Sequence, residues 1–273
     1  MSSVESGYAY VNGTKLYYEI AGSGQPIIFV HGWGLDRRSW NYQFEEYSKH
    51  YQVIRYDQRG FGRSAEPVSG EEYSHAEDLR ALMDHLNIEK AHLIGHSFGG
   101  RHVTIFSILH PERVQSLILA DGALPGYPDS EESAELMKWI SETWQLGREV
   151  SVDAAKESYF YGAPEGVFNH ALSNPKSALI LEEMIRDYSG YNWTIDINHV
   201  EPSIIDRLGE IKVPTLVVVA ELNPKFYHDV ADYQHEHIPD SKKVVIKGAG
   251  HGLMMENPED FHREVLSFLR SLK

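Results

Sequence analysis

His92-Leu93-Ile94-Gly95-His96-Ser97-Phe98-Gly99-Gly100 is the stretch on which the reading of this chain turns. Leu93-Ile94 is a short apolar run with strand character, and a helix-compatible run begins at Arg101. Between them lies a G-x-S-x-G pattern, Gly95 to Gly99. A chain that passes from strand to helix in so few residues leaves no room for a Cβ on either side of the serine, which is why glycines flank it. Such a turn lifts Ser97 Oγ above the sheet edge, where it can attack a carbonyl carbon. The backbone N–H of Phe98, at the start of the next helix, is then placed to stabilise an oxyanion. Alone, the pentapeptide fits a glycine-rich turn with a surface serine just as well, so the rest of the chain has to decide.

The length of 273 residues suits one large α/β domain, with or without an inserted subdomain, and 42% apolar residues suffice for a sizeable core. The formal net charge of −15 argues against nucleic acid and anionic membranes as partners, because so few cations cannot neutralise a phosphate surface. No cysteine is present, which removes disulfides, thiolate nucleophiles and cysteine-ligated metals. No basic stretch followed by an apolar core opens the chain, and no apolar run approaches roughly 18 residues. A cytoplasmic protein acting on a small molecule is the expectation; oligomeric state is not legible.

Taken in order, Asn12-Gly13 marks a hairpin turn between aromatic-rich runs at 8–11 and 14–20. Ile27-Ile28-Phe29-Val30 reads as a strand buried on both faces and ends in His31-Gly32-Trp33-Gly34. A helix follows over 36–48, with Asp36 as N-cap, then a strand at 53–56. Asp57 opens a glycine-punctuated turn to Ser64, where a short carboxylate accepts the turn's own N–H groups more readily than it serves as an acid. Ser74 caps a helix with Glu77 three residues on. After the serine turn, a helix ends at His110-Pro111, and Leu117-Ile118-Leu119-Ala120 is another buried strand, with Asp121 at its end. Residues 123–208 hold no such strand; helical patterns at 131–146, 151–161 and 175–189 carry many aromatics. The chain therefore divides into a core, 1–122 and 209–273, and a helical insertion, 123–208, which covers the strand ends as a lid. The sheet resumes at 214–219, a helix spans 225–237, and a strand at 244–246 leads into Gly248-Ala249-Gly250-His251-Gly252.

His31-Gly32, Asp57-x-x-Gly60-x-Gly62-x-Ser64, Gly95-His96-Ser97-Phe98-Gly99-Gly100 and Gly248-Ala249-Gly250-His251 together resemble the α/β-hydrolase superfamily over nearly the whole chain. The chain looks most similar to small capped bacterial esterases and enol-lactonases. The resemblance implies a mostly parallel eight-stranded sheet flanked by helices, with an inserted cap, and serine-based hydrolysis without a cofactor or metal. Ser97 is then the nucleophile, and His251 takes its proton and returns it to the leaving group. The backbone N–H groups of Trp33 and Phe98 form the oxyanion hole. His96 reads as a packing residue of the turn.

The family's third member is an acid in a Gly-Glu-x-Asp run after the strand ending at Val219. Here the run is Ala220-Glu221-Leu222-Asn223. An amide oxygen can still accept from the imidazole but carries no charge. Three readings stay open. Another carboxylate replaces it, Asp121 first and Glu221 second. Alternatively Asn223 orients His251 and activity is weak, as in an impaired or engineered variant. Or the chain is a silent binder. Arg101, four residues after Ser97, resembles an arginine of menaquinone-pathway synthases in this superfamily that helps bind a substrate carboxylate, and it hints at an acidic substrate; a helix-surface salt bridge is the plain alternative. His235-Glu236-His237 reads as a solvated helix end, since i, i+2 spacing splits the imidazoles between faces. An ester or lactone hydrolase is the expectation, with a carbon–carbon bond hydrolase on the same scaffold as the alternative.

Overall fold

The structure is a computed structural model that describes residues 3–128 and 130–272. Among the described residues ten strands form in chain order: β1 (Glu5–Val11), β2 (Thr14–Gly22), β3 (Pro26–Val30), β4 (Gln52–Tyr56), β5 (Glu72–Tyr73), β6 (Ala91–His96), β7 (Val114–Ala120), β8 (Asn198–His199), β9 (Thr215–Ala220) and β10 (Ser241–Ile246). Eight of them make one sheet in the order β1-β2-β4-β3-β6-β7-β9-β10. All its neighbouring pairs from β4 to β10 are parallel, and β1 and β2 add an antiparallel edge. The β1–β2 hairpin turns at Asn12 and Gly13, both at positive φ, as a two-residue turn matched to strand twist requires.

The continuous apolar runs are explained by what covers the sheet. Successive side chains of a strand point to opposite faces. Ile27, Phe29, Ile94, Ile118 and Val218 join one core, and Ile28, Val30, Leu93, Leu117 and Leu119 join the other. The first core packs against α1 (Asn41–Tyr47) and, at the far end of the chain, Pro258–Ser271; the second packs against α2 (His75–His85) and α3 (Phe98–Leu109). Asp36 accepts from the Arg38 N–H, and Ser74 from the Glu77 N–H, so both expected caps form.

Between β7 and β9, residues 123–208 fold into α4 (Glu131–Glu149), α5 (Val152–Lys156) with a wider turn at Glu157–Tyr161, α6 (Asn169–Ser173) and α7 (Ala178–Asp187). Their aromatics do not build a separate core. Trp139, Phe160, Phe168 and Trp193 merge with Phe29 and Trp40 of the sheet side. One strand was not expected in this segment: β8 pairs in parallel with β5 and ties it to the core. Among the described residues no helix is long and apolar enough to cross a membrane.

The strand–helix crossing at the serine leaves no room for a further side chain. A Cβ on Gly99 would lie 2.3 Å from the Val30 carbonyl oxygen and 2.5 Å from that of His31. Gly99→Ala is therefore expected to destabilise by about 1–3 kcal/mol and to lower the thermal midpoint in a circular-dichroism melt by several degrees. A variant melting with the wild type would contradict this close approach.

Candidate active site

Ser97 sits between β6 and α3 at φ 49° and ψ −113°, a conformation rarely taken by a residue with a side chain. It persists because its surroundings hold it. The Ser97 N–H donates to the Ala120 carbonyl at 3.0 Å, and the Ser97 carbonyl accepts from Ala123 and Arg101 N–H groups at 2.9 and 3.2 Å. Gly95 and Gly100 pass so close to neighbouring backbone that a Cβ on either would meet it within 2.6 Å.

His251 follows β10 and lines the same cavity as Ser97. The carboxylate beside its imidazole belongs to Asp121, whose Oδ2 lies 3.5 Å from His251 Nδ1. Asp121 also has positive φ, 47°, which turns its side chain back across the strand ends, and its Oδ1 accepts from the Ala220 N–H at 3.0 Å. Both groups are almost fully buried. Burial lowers the His251 pKa to about 3, so the imidazole is neutral and able to accept a proton. Burial raises the Asp121 pKa to about 7, with His96, the Ala220 N–H and the Asn223 amide opposing.

The candidates for the missing acid lie in different surroundings. Glu221 is exposed and its Oε2 accepts from the Gly248 N–H, so it does not reach His251. Asn223 is buried, but its amide atoms make no full hydrogen bond of their own among the described residues. Asp121 Oδ2 and His251 Nδ1 likewise make no full hydrogen bond among the described residues, and the carboxylate that pairs with the imidazole at 3.5 Å is Asp121, at the end of β7 instead of β9.

Trp33 and Phe98 flank Ser97 with their rings edge to face, centroids 5.0 Å apart. Among the described residues neither backbone N–H has a protein acceptor, which leaves both free to receive an oxyanion. His96 keeps its packing role: its Nε2–H donates to the His251 carbonyl at 2.7 Å. His96, Asp121 and His251 bring one ligand-capable atom each within 4.8 Å of one another, a grouping that the sequence reading did not weigh. Asp57 is buried and accepts from the Arg37 and Arg63 N–H groups, as a turn-stabilising carboxylate should. His235 and His237 are exposed and bond to Ser241 and to the Tyr233 carbonyl.

The cavity measures about 620 Å³, within the range of small-molecule sites. Its walls are mostly apolar, with Trp139, Trp144, Tyr159 and Phe168 from the segment 123–208 joining Trp33 and Phe98. Arg101 interrupts this lining. It is not on an exposed helix face; burial lowers its pKa, with the Glu201 charge opposing, and its Nε is buried without a partner. Among the described residues it forms no ion pair.

The family model described as alpha/beta hydrolase fold matches residues 25–258. The chain belongs to that family. Among curated relatives of this α/β hydrolase is a 2-hydroxy-6-oxo-6-(2'-aminophenyl)hexa-2,4-dienoic acid hydrolase of Metapseudomonas resinovorans, 29% identical, the match covering 97% of this chain and 92% of that one. A non-heme chloroperoxidase of Streptomyces lividans is 27% identical, with 95% and 98% covered. Among solved structures, a thermophilic esterase from Thermogutta terrifontis superposes with a TM-score of 0.80 at 26% identity, covering 98% of this chain and 99% of that one.

Sequence reasoning missed His199 and Tyr227. His199 lines the cavity beside Arg101 and exchanges a 2.8 Å hydrogen bond with the Tyr73 hydroxyl. It arrives through the two-residue β5–β8 pairing, which leaves no local pattern. Tyr227 packs its ring against His251 at a tilt of 41°, centroids 4.3 Å apart, from the first turn of the helix Lys225–His237.

Asp121→Asn should cost roughly 10⁴ in kcat, as loss of the acid does in a serine protease. Protonation of Asp121 removes the same charge, so kcat should fall as pH drops through about 7. Asn223→Asp places a second carboxylate beside the first, which disfavours ionisation of both and moves that limb upward. Steady-state pH–rate profiles read both effects. A rise in turnover by orders of magnitude in Asn223→Asp would return the acid's role to position 223.

Proposed function

We propose that this α/β hydrolase is a cofactor-independent serine hydrolase that cleaves a small carboxylic ester or lactone bearing a second, free carboxylate. The observation carrying this reading is that Ser97 and His251 line one cavity, with Asp121 Oδ2 3.5 Å from His251 Nδ1 and two N–H groups that have no protein acceptor among the described residues. Ser97 Oγ attacks the carbonyl carbon while His251 Nε2 takes its proton, and Asp121 stabilises the imidazolium. The tetrahedral oxyanion is held by the Trp33 and Phe98 N–H groups. Collapse expels the alcohol, protonated by His251, and water then hydrolyses the acyl-enzyme with His251 again as base. Residues 123–208 act as the cap that keeps bulk water from the acyl-enzyme.

Arg101 supports the acidic substrate. A guanidinium stays charged even when burial lowers its pKa. One placed without an ion pair in a largely apolar cavity is expected to receive an anion from the ligand. The Metapseudomonas relative is named for action on a dienoic acid, which also carries a carboxylate. That relative keeps carbon–carbon bond hydrolysis as a second reading on the same residues.

Fluorophosphonate labelling of Ser97, abolished in Ser97→Ala, together with turnover of p-nitrophenyl acetate and butyrate, is the expected result. Absence of labelling at every pH from about 6 to 9 would leave a silent ligand-binding homologue instead. The p-nitrophenyl hemi-ester of a dicarboxylic acid should be preferred over its neutral analogue. Arg101→Met should shrink that preference in kcat/KM by about 10-fold or more, the worth of a charge-assisted hydrogen bond. An unchanged preference would remove the carboxylate from the proposal.

A further inference from the structure

One buried carboxylate next to the site has no part in the steps above. Glu256 closes the single helical turn Leu253–Glu256 that follows His251 directly. It is 4% exposed, and among the described residues no cation forms an ion pair with it. Its Oε2 accepts from the Gly250 N–H at 2.7 Å and its Oε1 from the Gly252 N–H at 3.0 Å. The residue between those two donors is His251.

A histidine between two glycines sits on the most freely rotating backbone a chain can offer. An imidazole that must meet both Ser97 and Asp121 needs that freedom removed from outside. Four hydrogen bonds remove it. Glu256 takes the N–H before and the N–H after; the His251 N–H donates to the Gly166 carbonyl at 2.8 Å, and the His251 carbonyl accepts from His96 at 2.7 Å. The glycines are there for the same contacts. A Cβ on Gly252 would lie 2.9 Å from Glu256 Oε1, and one on Gly250 would lie 2.5 Å from the Gly166 oxygen. The neighbours of Glu256 on its turn, Leu253, Met254 and Met255, fill the core. A carboxylate among them carries a desolvation cost that an apolar side chain would avoid. Burial pushes its pKa up, and the two N–H groups oppose that.

We infer that Glu256 is a positioning residue for His251, its carboxylate clamping the backbone on both sides of the base. This rests on the reading of His251 as the base. Gly166, the second restraint, precedes Val167 and Phe168 of the cavity wall, so the clamp joins the covering segment to the base loop as well.

The test uses the full chain carrying Glu256→Gln. An amide can accept one N–H but turns its own NH2 on the other. The expected kcat on a p-nitrophenyl ester falls by about 10–100-fold, in line with the cost of a misplaced reacting group, while KM stays within about threefold. The fluorophosphonate labelling rate should fall by the same factor. Val265→Ala, a core change in the last helix, controls for stability loss alone and should leave kcat within about twofold. If Glu256→Gln lowers the melting temperature but holds wild-type kcat well below it, the inference is overturned. Should Glu256→Gln fail to fold, Glu256→Asp keeps the charge on a shorter arm and should lower kcat in the same direction; unchanged kcat there overturns the inference too. Amide hydrogen exchange of residues 250–252 reads the clamp without turnover. Faster exchange confined to those amides is expected, and unchanged protection overturns the clamp even if the wild type proves not to react with fluorophosphonate.

Discussion

Crowding around one strained residue constrains the rest of this structure. Ser97 is held at φ 49° because β6 runs into α3 with no intervening loop, and the helix start lies directly against the end of β3. Left-handed backbone at a residue with a Cβ costs of order 1–3 kcal/mol. The Ala120, Ala123 and Arg101 hydrogen bonds and the two cores on either sheet face offset that cost. The same geometry fixes the chemistry. A serine on an ordinary turn would not stand above the sheet edge with a fresh helix N-terminus beside it.

Burial then sorts the titratable groups. In a dry pocket the neutral form of each is favoured, which keeps His251 unprotonated and ready to accept a proton, and pulls Asp121 toward neutrality. The nearby His96, the Ala220 N–H and the Asn223 amide work against that pull on Asp121. Asn223 matters here as a neutral neighbour. A carboxylate at that position would face Asp121 across a few ångströms of low-dielectric space, where two negative charges repel strongly. An uncharged amide at 223 beside the buried carboxylate at 121 avoids that repulsion.

Much of the fold was legible because local rules and tertiary rules agreed. Continuous apolar runs at 27–30, 93–94 and 117–120 had to be parallel strands covered on both faces, and Asn12-Gly13, Asp36 and Ser74 announced a turn and two helix starts. Ser97 and His251 stood out because glycine is required on both sides of each, for reasons of space. The acid was less legible. Asp121 is an ordinary strand-end aspartate in sequence, and its role depends on a positive φ and on the lateral neighbourhood of β7 and β9, neither of which leaves a local trace. His199 was invisible for the same reason: a two-residue strand pairs with residues more than a hundred positions earlier.

Chemistry and recognition consequently come from different parts of the chain. Ser97, Asp121 and His251 stand on the turns that follow β6, β7 and β10. The cavity wall is built largely by residues 123–208, whose aromatics share the core of the sheet side instead of packing on one another alone. A wall continuous with the core resists wholesale displacement, since moving Trp139 or Phe168 disturbs side chains that also pack toward the sheet. Arg101 fits neither part cleanly. It is rooted in α3, one turn from Ser97, yet its head lies in the wall, so a ligand anion held there is registered against the nucleophile by a single turn of rigid helix.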